Sequence, residues 1–375
     1  MELKTDFETF LSEIRPTQNQ REDLQIGHKT LRSRLNEDED IKKVLVSDFL
    51  QGSYRRATAV RPKNDRRSDV DIIVVTKLSE DEYTPPKAMD VFKPFLDKHY
   101  KGKWRQQGRS FGIELSYVEL DLVLTSAPSE AEIGILKSDA VTSDDDIGAA
   151  RDWRLHRSWV ALASRARLDA RTLLAEASNN AEWMAKPLRI PDRDANAWED
   201  THPIEQIRWT RDKNGRTSRS FVNVVKAVKW WRFENHDEPK HPKGFPLERL
   251  IGACCPDGIE SVAEGVTRTL EKIVSEYALL VQVGGKPQLP DYGVHTHDVF
   301  KRISADDFKK FYEQVKDGAS LARRALDSDD RKESGNLWRE MFGSKFPKPP
   351  ENGGSKKAGY TPPTGPAVPG SGRFA

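Results

Sequence analysis

The sequence predicts an α+β fold in two lobes, a small mixed sheet with flanking helices followed by a helical lobe. Two stretches, Ser68–Thr76 and Tyr117–Thr125, alternate apolar and polar residues as half-buried strands do. From Ile204 onward, apolar residues recur at helical spacing instead. We divide the chain into residues 1–150, a sheet core with N-terminal helices; residues 151–346, a connecting segment and helical C-terminal lobe; and residues 347–375, a flexible tail.

The composition is that of a soluble enzyme, with 375 residues, 36% of them hydrophobic and 32% charged. A net charge of +2 gives no global signal for polyanion binding, so nucleotide binding must come from local clusters and we expect no sequence-specific nucleic-acid partner. The two cysteines, Cys254 and Cys255, are adjacent, which argues against a disulfide framework and favours a reducing cytoplasm. No apolar stretch has the length of a membrane span, so we expect no membrane partner.

Local patterns predict the individual elements. Thr5-x-x-Glu8 has the spacing of a capping box and opens a helix that Pro16 ends. The other elements predicted for the sheet lobe are a helix at 19–35, a strand at 44–50, a helix at 90–100 and a hairpin at 109–125. We expect irregular connections at 151–203. The helices predicted for the second lobe cover residues 220–235, 247–254, 259–280, 305–326 and 335–342.

The predicted strands carry the residues that suit phosphoryl chemistry. Asp69 and Asp71 are two apart on one strand, so both carboxylates lie on the same face and repel each other unless a cation lies between them. Asp121, in the middle of the second strand, supplies a third carboxylate. Upstream, Gly52-Ser53 offers a backbone that can approach a phosphate closely. The combination predicts a metal-dependent nucleotidyl or phosphoryl transfer site, although Asp69-x-Asp71 alone would also fit aspartates that merely cap strands or pair with arginines.

A predicted helix carries Lys226 and Lys229 three residues apart, and therefore on one face. The spacing fits a basic site for an anion and fits a solvated basic stripe equally well.

The tail from 347 to 375 differs in composition from the rest of the chain. Pro or Gly accounts for 13 of its 29 residues, which is typical of a flexible chain.

The same residues carry a family resemblance. Gly52-Ser53, Asp69-x-Asp71 and Asp121 resemble the nucleotidyltransferase superfamily of DNA polymerase β. The longer sequence around these residues is similar to the cGAS/DncV-like nucleotidyltransferases (CD-NTases) of bacterial anti-phage (CBASS) systems. Further segments resemble clade D of that family and extend the likeness over essentially the whole chain: Gln206-Ile207-Arg208-Trp209-Thr210, Val228-Lys229-Trp230-Trp231 and Gly372-Arg373-Phe374-Ala375.

The resemblance implies a DNA polymerase β-like fold and two Mg²⁺ ions as cofactors. Asp69, Asp71 and Asp121 would hold the ion that activates the acceptor 3′-hydroxyl, and the first two would also hold the ion on the donor triphosphate. Gly52 with Ser53 would contact the phosphates. The implied activity is synthesis of a cyclic oligonucleotide second messenger from ATP and GTP, and clade D implies a cyclic trinucleotide such as 3′3′3′-cyclic AMP-AMP-GMP.

In relatives, basic residues at positions matching Lys226 and Lys229 bind the donor triphosphate. The resemblance also implies two kinds of protein partner, a ubiquitin-like conjugating enzyme that acts on the C-terminal residue Ala375 or a HORMA-type activator. We expect a monomer. Two other functions remain open: an adenylyltransferase with a protein or small-molecule acceptor, and a non-catalytic nucleotide sensor.

Overall fold

The computed structural model describes residues 1–62, 67–127, 187–235 and 238–350. Its sheet contains seven strands: β1 (Leu45–Gln51), β2 (Ser68–Thr76), β3 (Trp104–Gln106), β4 (Ser110–Glu114), β5 (Val118–Ser126), β6 (Leu188–Asp192) and β7 (Ala197–Thr201). The strand order is β1-β2-β5-β4-β3, and β6 pairs with both β5 and β7. Strands β2 and β5 are parallel and the other pairs are antiparallel, so the sheet is mixed.

Helices flank the sheet and build the second lobe. Those preceding or interleaved with the strands are α1 (Lys4–Ile14), α2 (Gln18–Glu37), α3 (Ile41–Val44), α4 (Gly52–Arg55), α5 (Pro85–Asp90) and α6 (Lys93–Tyr100). Those that follow the strands are α7 (Pro203–Arg216), α8 (Phe221–Asn235), α9 (Gly244–Cys254), α10 (Val262–Gln282), α11 (Ala305–Asp327) and α12 (Arg331–Phe342), with a 3₁₀ turn at Gly343–Lys345. The predicted α+β fold with a mixed-sheet lobe and a helical lobe is confirmed.

The hydrophobic core is divided between the lobes. One cluster lies between the sheet, α2, α5 and α6, and includes Val70, Ile72 and Leu120. A second cluster fills the helical lobe, and α1 contributes to it through Phe7 and Phe10, which pack against aromatic rings of α12. The first helix therefore packs with the helical lobe, although it precedes the sheet in sequence.

Several local predictions need correction. The capping box at Thr5 is wrong: α1 begins at Lys4 after Leu3, and a reciprocal capping box forms instead at the start of α2, between Thr17 and Gln20. The helix predicted at 90–100 is α6, which starts three residues later, at Lys93, with a proline in its first turn, whereas Asp90 ends the separate helix α5.

The segment predicted to be irregular contains the β6–β7 hairpin, although residues 128–186 lie outside the described part of the chain. Its second strand lacks alternating apolar residues, so the sequence pattern did not predict a strand there. Leu188 and Ile190 of its first strand are buried, and ion pairs add to the hairpin's stability, since Arg189 pairs with Glu80 at 2.7 Å and Asp192 pairs with Arg109 at 2.7 Å.

The segment similar to clade D on α7 joins the two lobes. Gln51, at the end of β1, donates from Nε2 to Oε1 of Gln206 at 3.1 Å. Gln206 in turn donates to Asp291 of the helical lobe at 2.8 Å. Two residues of the same neighbourhood, Trp209 and Tyr292, stack with ring centroids 3.6 Å apart. The strand that leads to Gly52 is therefore tied to the helical lobe through one buried amide.

Both cysteines are buried at the end of α9. Burial raises the pKa of Cys254 to about 12 and also raises that of Cys255. Within the ranges described, no helix combines the length and the apolar character needed to cross a membrane.

Candidate active site

Strand register brings the predicted carboxylates together on one face of the sheet. In the parallel pair β2–β5, Asp71 lies directly beside Asp121, and Asp69 lies beside Glu119. Because side chains alternate along strands, all four carboxylates point to the same side. We call this set the carboxylate face. The opposite side of the same strands is buried in the core of the sheet lobe, as apolar alternation requires.

The carboxylate face is electrostatically unfavourable without a cation. Burial, and after it the charges of Asp69 and Asp121, raise the pKa of Asp71 to about 7. Burial, Glu119 and Asp69 raise the pKa of Asp121 to about 6. These shifts measure the cost of holding several negative charges together in a partly desolvated place. A divalent cation would relieve that cost, which is the chemistry expected of a metal-binding face.

Gly52 allows the approach of Asp71. Its φ is +76°, and a Cβ at this position would lie 1.7 Å from Oδ2 of Asp71. Any other residue would therefore displace the carboxylate. The following residue, Ser53, is half-buried and starts a tight turn, in which its carbonyl accepts from the N–H groups of Thr58 at 2.9 Å and Ala59 at 3.1 Å. The Gly-Ser stretch thus lies against the carboxylate face, as predicted.

Asp121 is oriented by a neighbour that the sequence did not reveal. Gln107 donates from Nε2 to Oδ1 of Asp121 at 3.2 Å, and Ser110 donates to Oε1 of Gln107 at 3.0 Å. A Cβ on Gly112, which pairs with Asp121 across the strands, would lie 2.8 Å from that same Nε2. Gln107 lies in the turn between β3 and β4, where no pattern singles it out.

A second charged cluster lies where the helical lobe meets the Gly-Ser stretch. Glu248 of α9 accepts from Nε of Arg56 at 3.1 Å and from Nζ of Lys229 at 2.5 Å. Lys229 also donates to the carbonyl of Thr58 at 3.2 Å. We call Arg56, Lys229 and Glu248 the interlobe cluster. Burial would raise the pKa of Glu248, but the two cations outweigh it and hold that pKa at about 2.

The interlobe cluster is close enough to the carboxylate face to influence it. Arg56 lowers and Glu248 raises the pKa of Asp71, in addition to the larger effects of burial and of the other aspartates. Arg56, which from sequence alone could have been a surface residue, is only 6% exposed. Glu248 was missed, although a charged residue beside Leu247 and Ile251 on an apolar helix was a signal that could have identified it.

The two lysines predicted to bind a triphosphate have different surroundings. Lys229 lies at the junction of the lobes, as described. Lys226 is fully buried and donates to Oδ1 of Asn223 at 3.3 Å. Burial, together with the charges of Arg15 and Lys229, lowers its pKa well below the usual value. A contact between Lys226 and a triphosphate would require the surrounding helices to move. Ala375 lies outside the described residues.

The donor set fits hard, oxygen-preferring cations such as Mg²⁺. The fit depends on the shared face of Asp69, Asp71 and Asp121 and on their mutual repulsion. In the described parts of the chain, no three His, Cys, Asp or Glu side chains form a group that could hold a metal ion by themselves. An open face of carboxylates is suited to ions that are shared with a triphosphate.

Comparisons with known proteins identify the family of the chain. Residues 1–127 match the Second Messenger Oligonucleotide or Dinucleotide Synthetase (SMODS) domain. Over 382 aligned residues and the full length of both chains, the sequence is 49% identical to a probable cyclic AMP-AMP-GMP nucleotide synthase of Salmonella paratyphi B. Over the same length and coverage it is 47% identical to a cyclic AMP-AMP-GMP synthase of Enterobacter hormaechei subsp. hoffmannii (strain UCI 50).

Solved structures give the same fold at lower identity. The structure of the E. coli MS115-1 CdnC:HORMA-deltaN complex aligns with a TM-score of 0.61 at 14% identity, covering 92% of this chain and 99% of that one. That likeness is one of fold, whereas the full-length sequence identities establish kinship. The chain is thus a nucleotidyltransferase and belongs to the cGAS/DncV-like (CD-NTase) family of cyclic oligonucleotide synthases.

Proposed function

We propose that this enzyme joins two adenylates and one guanylate, taken from ATP and GTP, into 3′3′3′-cyclic AMP-AMP-GMP. The observation that carries the chemistry is the carboxylate face, with Asp71 and Asp121 side by side and Gly52 against them. The two full-length relatives named for cyclic AMP-AMP-GMP support the choice of product. We place the reaction in the cytoplasm, in anti-phage defence, with the enzyme as a monomer.

Each turn of the reaction forms one phosphodiester. The 3′-oxygen of one nucleotide attacks the α-phosphorus of the next, the bond to the β-phosphate oxygen breaks, and pyrophosphate leaves in line. Asp69, Asp71 and Asp121 would hold two Mg²⁺ ions, which would supply charge neutralisation of the triphosphate and a lower pKa of the attacking hydroxyl. Three transfers, the last of them within the linear trinucleotide, release three pyrophosphates and close the ring.

The protein's own residues position these groups. Gly52 lets the backbone of the Gly-Ser stretch lie against Asp71, so that Ser53 stands where a phosphate would approach the carboxylates. Gln107 holds one oxygen of Asp121 through its amide. From the opposite lobe, Lys229 supplies a cation bonded to the segment that follows Ser53. Lys226 is proposed for the same role only in a conformation that exposes it.

Mass spectrometry of the product made from all four NTPs, with no other acceptor, tests the proposal. We expect a cyclic trinucleotide of two adenylates and one guanylate, absent from the Asp69→Asn/Asp71→Asn variant. A product of different bases would refute the assignment of cyclic AMP-AMP-GMP but retain cyclic synthesis. Consumption of ATP only after a protein or small molecule is added would favour the adenylyltransferase alternative. Nucleotide binding without any turnover would favour the sensor.

Two regulatory partners belong to the proposal. A HORMA-type activator is supported by the complex of the structural neighbour. A ubiquitin-like conjugating enzyme acting on Ala375 is supported by the Pro- and Gly-rich composition of the tail and its small final residue. Deletion of residues 370–375 should leave synthesis in vitro nearly intact. It should abolish high-molecular-weight conjugates when the enzyme is co-expressed with the conjugating enzyme. Conjugates that survive the deletion would exclude Ala375 as the attachment point.

A further inference from the structure

The interlobe cluster joins two lobes at one carboxylate. Arg56 comes from the chain directly after the Gly-Ser helix α4, whereas Lys229 and Glu248 come from α8 and α9 of the helical lobe. Glu248 is 5% exposed and Arg56 is 6% exposed, so the pair is desolvated on both sides. In addition, the guanidinium of Arg56 lies 5.1 Å from the ring centroid of Phe245, which covers it from the helical lobe.

A buried cluster of three charges is not the most stable way to pack two lobes together. Burying three charges requires their desolvation, and apolar residues of similar volume would often stabilise a fold as well or better. Here the three charges sum to one net positive charge. They lie near the carboxylate face, because the backbone N–H of Arg56 donates to the carbonyl of Gly52 at 3.1 Å and Gly52 lies against Oδ2 of Asp71. Arg56 and Lys229 thus lie beside the carboxylate face, and Glu248 fixes their positions by accepting a hydrogen bond from each.

We propose that Glu248 is a positioning residue for nucleotidyl transfer, which holds Arg56 and Lys229 at a fixed spacing beside the carboxylate face so that their positive charges act on the triphosphate together. The proposal rests on the proposed function, because the triphosphate is the substrate of that reaction. Arg56, which is buried, then acts through its charge from the sheet lobe, and Lys229 is its counterpart from the helical lobe.

The proposal makes opposite predictions for binding and for turnover. Glu248→Gln keeps the shape of the side chain but removes one negative charge beside two cations. Metal-free ATP should therefore bind more tightly, because the net charge of the cluster rises. Turnover should fall, because the cations are no longer held where the transition state needs them. Loss of a purely structural ion pair would also lower stability but would leave the affinity for ATP unchanged.

The experiment is titration of ATP in EDTA together with steady-state kinetics in Mg²⁺. For Glu248→Gln we expect Kd and KM to fall about threefold and kcat to fall at least about tenfold. Glu271→Gln is the matched control, since Glu271 is also an ion-paired glutamate of the helical lobe, bonded to Arg323 at 2.7 and 2.8 Å. The control should leave all three constants at their wild-type values.

Glu248→Asp covers the case in which the glutamine variant does not fold. It keeps the charge but is one methylene shorter, so kcat should fall about tenfold while the Kd for ATP stays near wild type. The proposal is overturned if Glu248→Gln binds ATP like wild type, or if the loss of kcat in either variant only matches the loss of folded protein. Failure of the proposed function is recognised separately, as wild-type protein that binds ATP and releases no cyclic product.

Discussion

The carboxylate face and the interlobe cluster are both groups of buried charges, but they are balanced in opposite ways. On the carboxylate face, like charges raise the pKa of Asp71 to about 7. In the interlobe cluster, opposite charges lower the pKa of Glu248 to about 2. The difference shows that buried charges can have two roles. A cluster of like charges is suited to bind a ligand of opposite sign, whereas a cluster of opposite charges fixes the positions of its own side chains.

The sharpest test removes the uncompensated charges. Asp69→Asn together with Asp71→Asn should abolish product formation, and Asp121→Asn should do the same, because each change removes oxygen ligands of the metals. The melting temperature in EDTA should stay the same or rise, since repulsion is relieved. Mass spectrometry of the product and thermal unfolding measure the two effects. Asp81→Asn, at an exposed position, is the control. A double variant with normal turnover would exclude the two-metal assignment.

The second test disturbs the carboxylate face without touching a charge. Gly52→Ala places a methyl group where Oδ2 of Asp71 lies, 1.7 Å away, so turnover should fall about 100-fold or more through displacement of a ligand. Gly102→Ala is a matched control, because Gly102 has a similar φ of +72° but no atom within 4 Å of the added Cβ. The control should lose about 1 kcal/mol of stability from backbone strain alone. Equal activity in both variants would contradict the close contact.

The third test separates the two lysines. Lys229→Ala should raise the KM for ATP about tenfold through loss of a charge-assisted contact, and should destabilise the fold by about 3 kcal/mol because Glu248 loses one of two partners. Lys226→Ala, for which the sequence predicts a similar KM effect, should raise KM less, because its side chain is shielded from solvent. Lys310→Ala, exposed on α11, serves as control. A larger KM effect at Lys226 than at Lys229 would reverse the assignment.

The smallest expected effect is a pair of opposite pH dependences. Asp71 has a native pKa raised from 3.8 to about 7, so its ionisation destabilises the metal-free fold as pH rises through that window. Glu248 has a native pKa lowered from 4.5 to about 2, so its contribution is present above pH 4.5 and is lost as pH falls toward 2.

Unfolding in EDTA across pH measures both slopes. The stability gain of Asp71→Asn over wild type should grow between pH 4 and 7, to at most about 4 kcal/mol. The loss caused by Glu248→Gln should shrink as the solution is acidified below pH 4.5. Parallel curves for wild type and both variants would mean that neither group is shifted as described.

The sequence predicted the carboxylate face because that face is a local property of two strands. Alternation along β2 and β5 places Asp69, Asp71 and Asp121 on one side whatever the rest of the chain does. The helical lobe was predicted for the same reason, since each helix carries its own apolar period. The Gly-Ser stretch followed from residue type, because only glycine accepts the φ found at Gly52 without strain.

The interlobe cluster could not be predicted in this way. Arg56 and Glu248 are 192 residues apart, and no periodicity links them. The buried state of Lys226 also depends on tertiary packing, since its helix has apolar residues on nearly every side. In the β6–β7 hairpin the second strand lacks alternating apolar residues, and ion pairs add to the burial of Leu188 and Ile190, so its sequence lacks the usual strand signal.

The pairing of β2 with β5 has a consequence for how this enzyme could be lost in evolution. Asp71 meets Asp121 only because the strands are aligned residue for residue. Deleting one codon early in either strand would move the carboxylates of that strand to the buried side and bring its apolar residues outward. A gene could then keep every acidic residue of the motif and still encode an inactive protein. Alignments that count motif residues would miss such pseudoenzymes, whereas a check of strand spacing would find them.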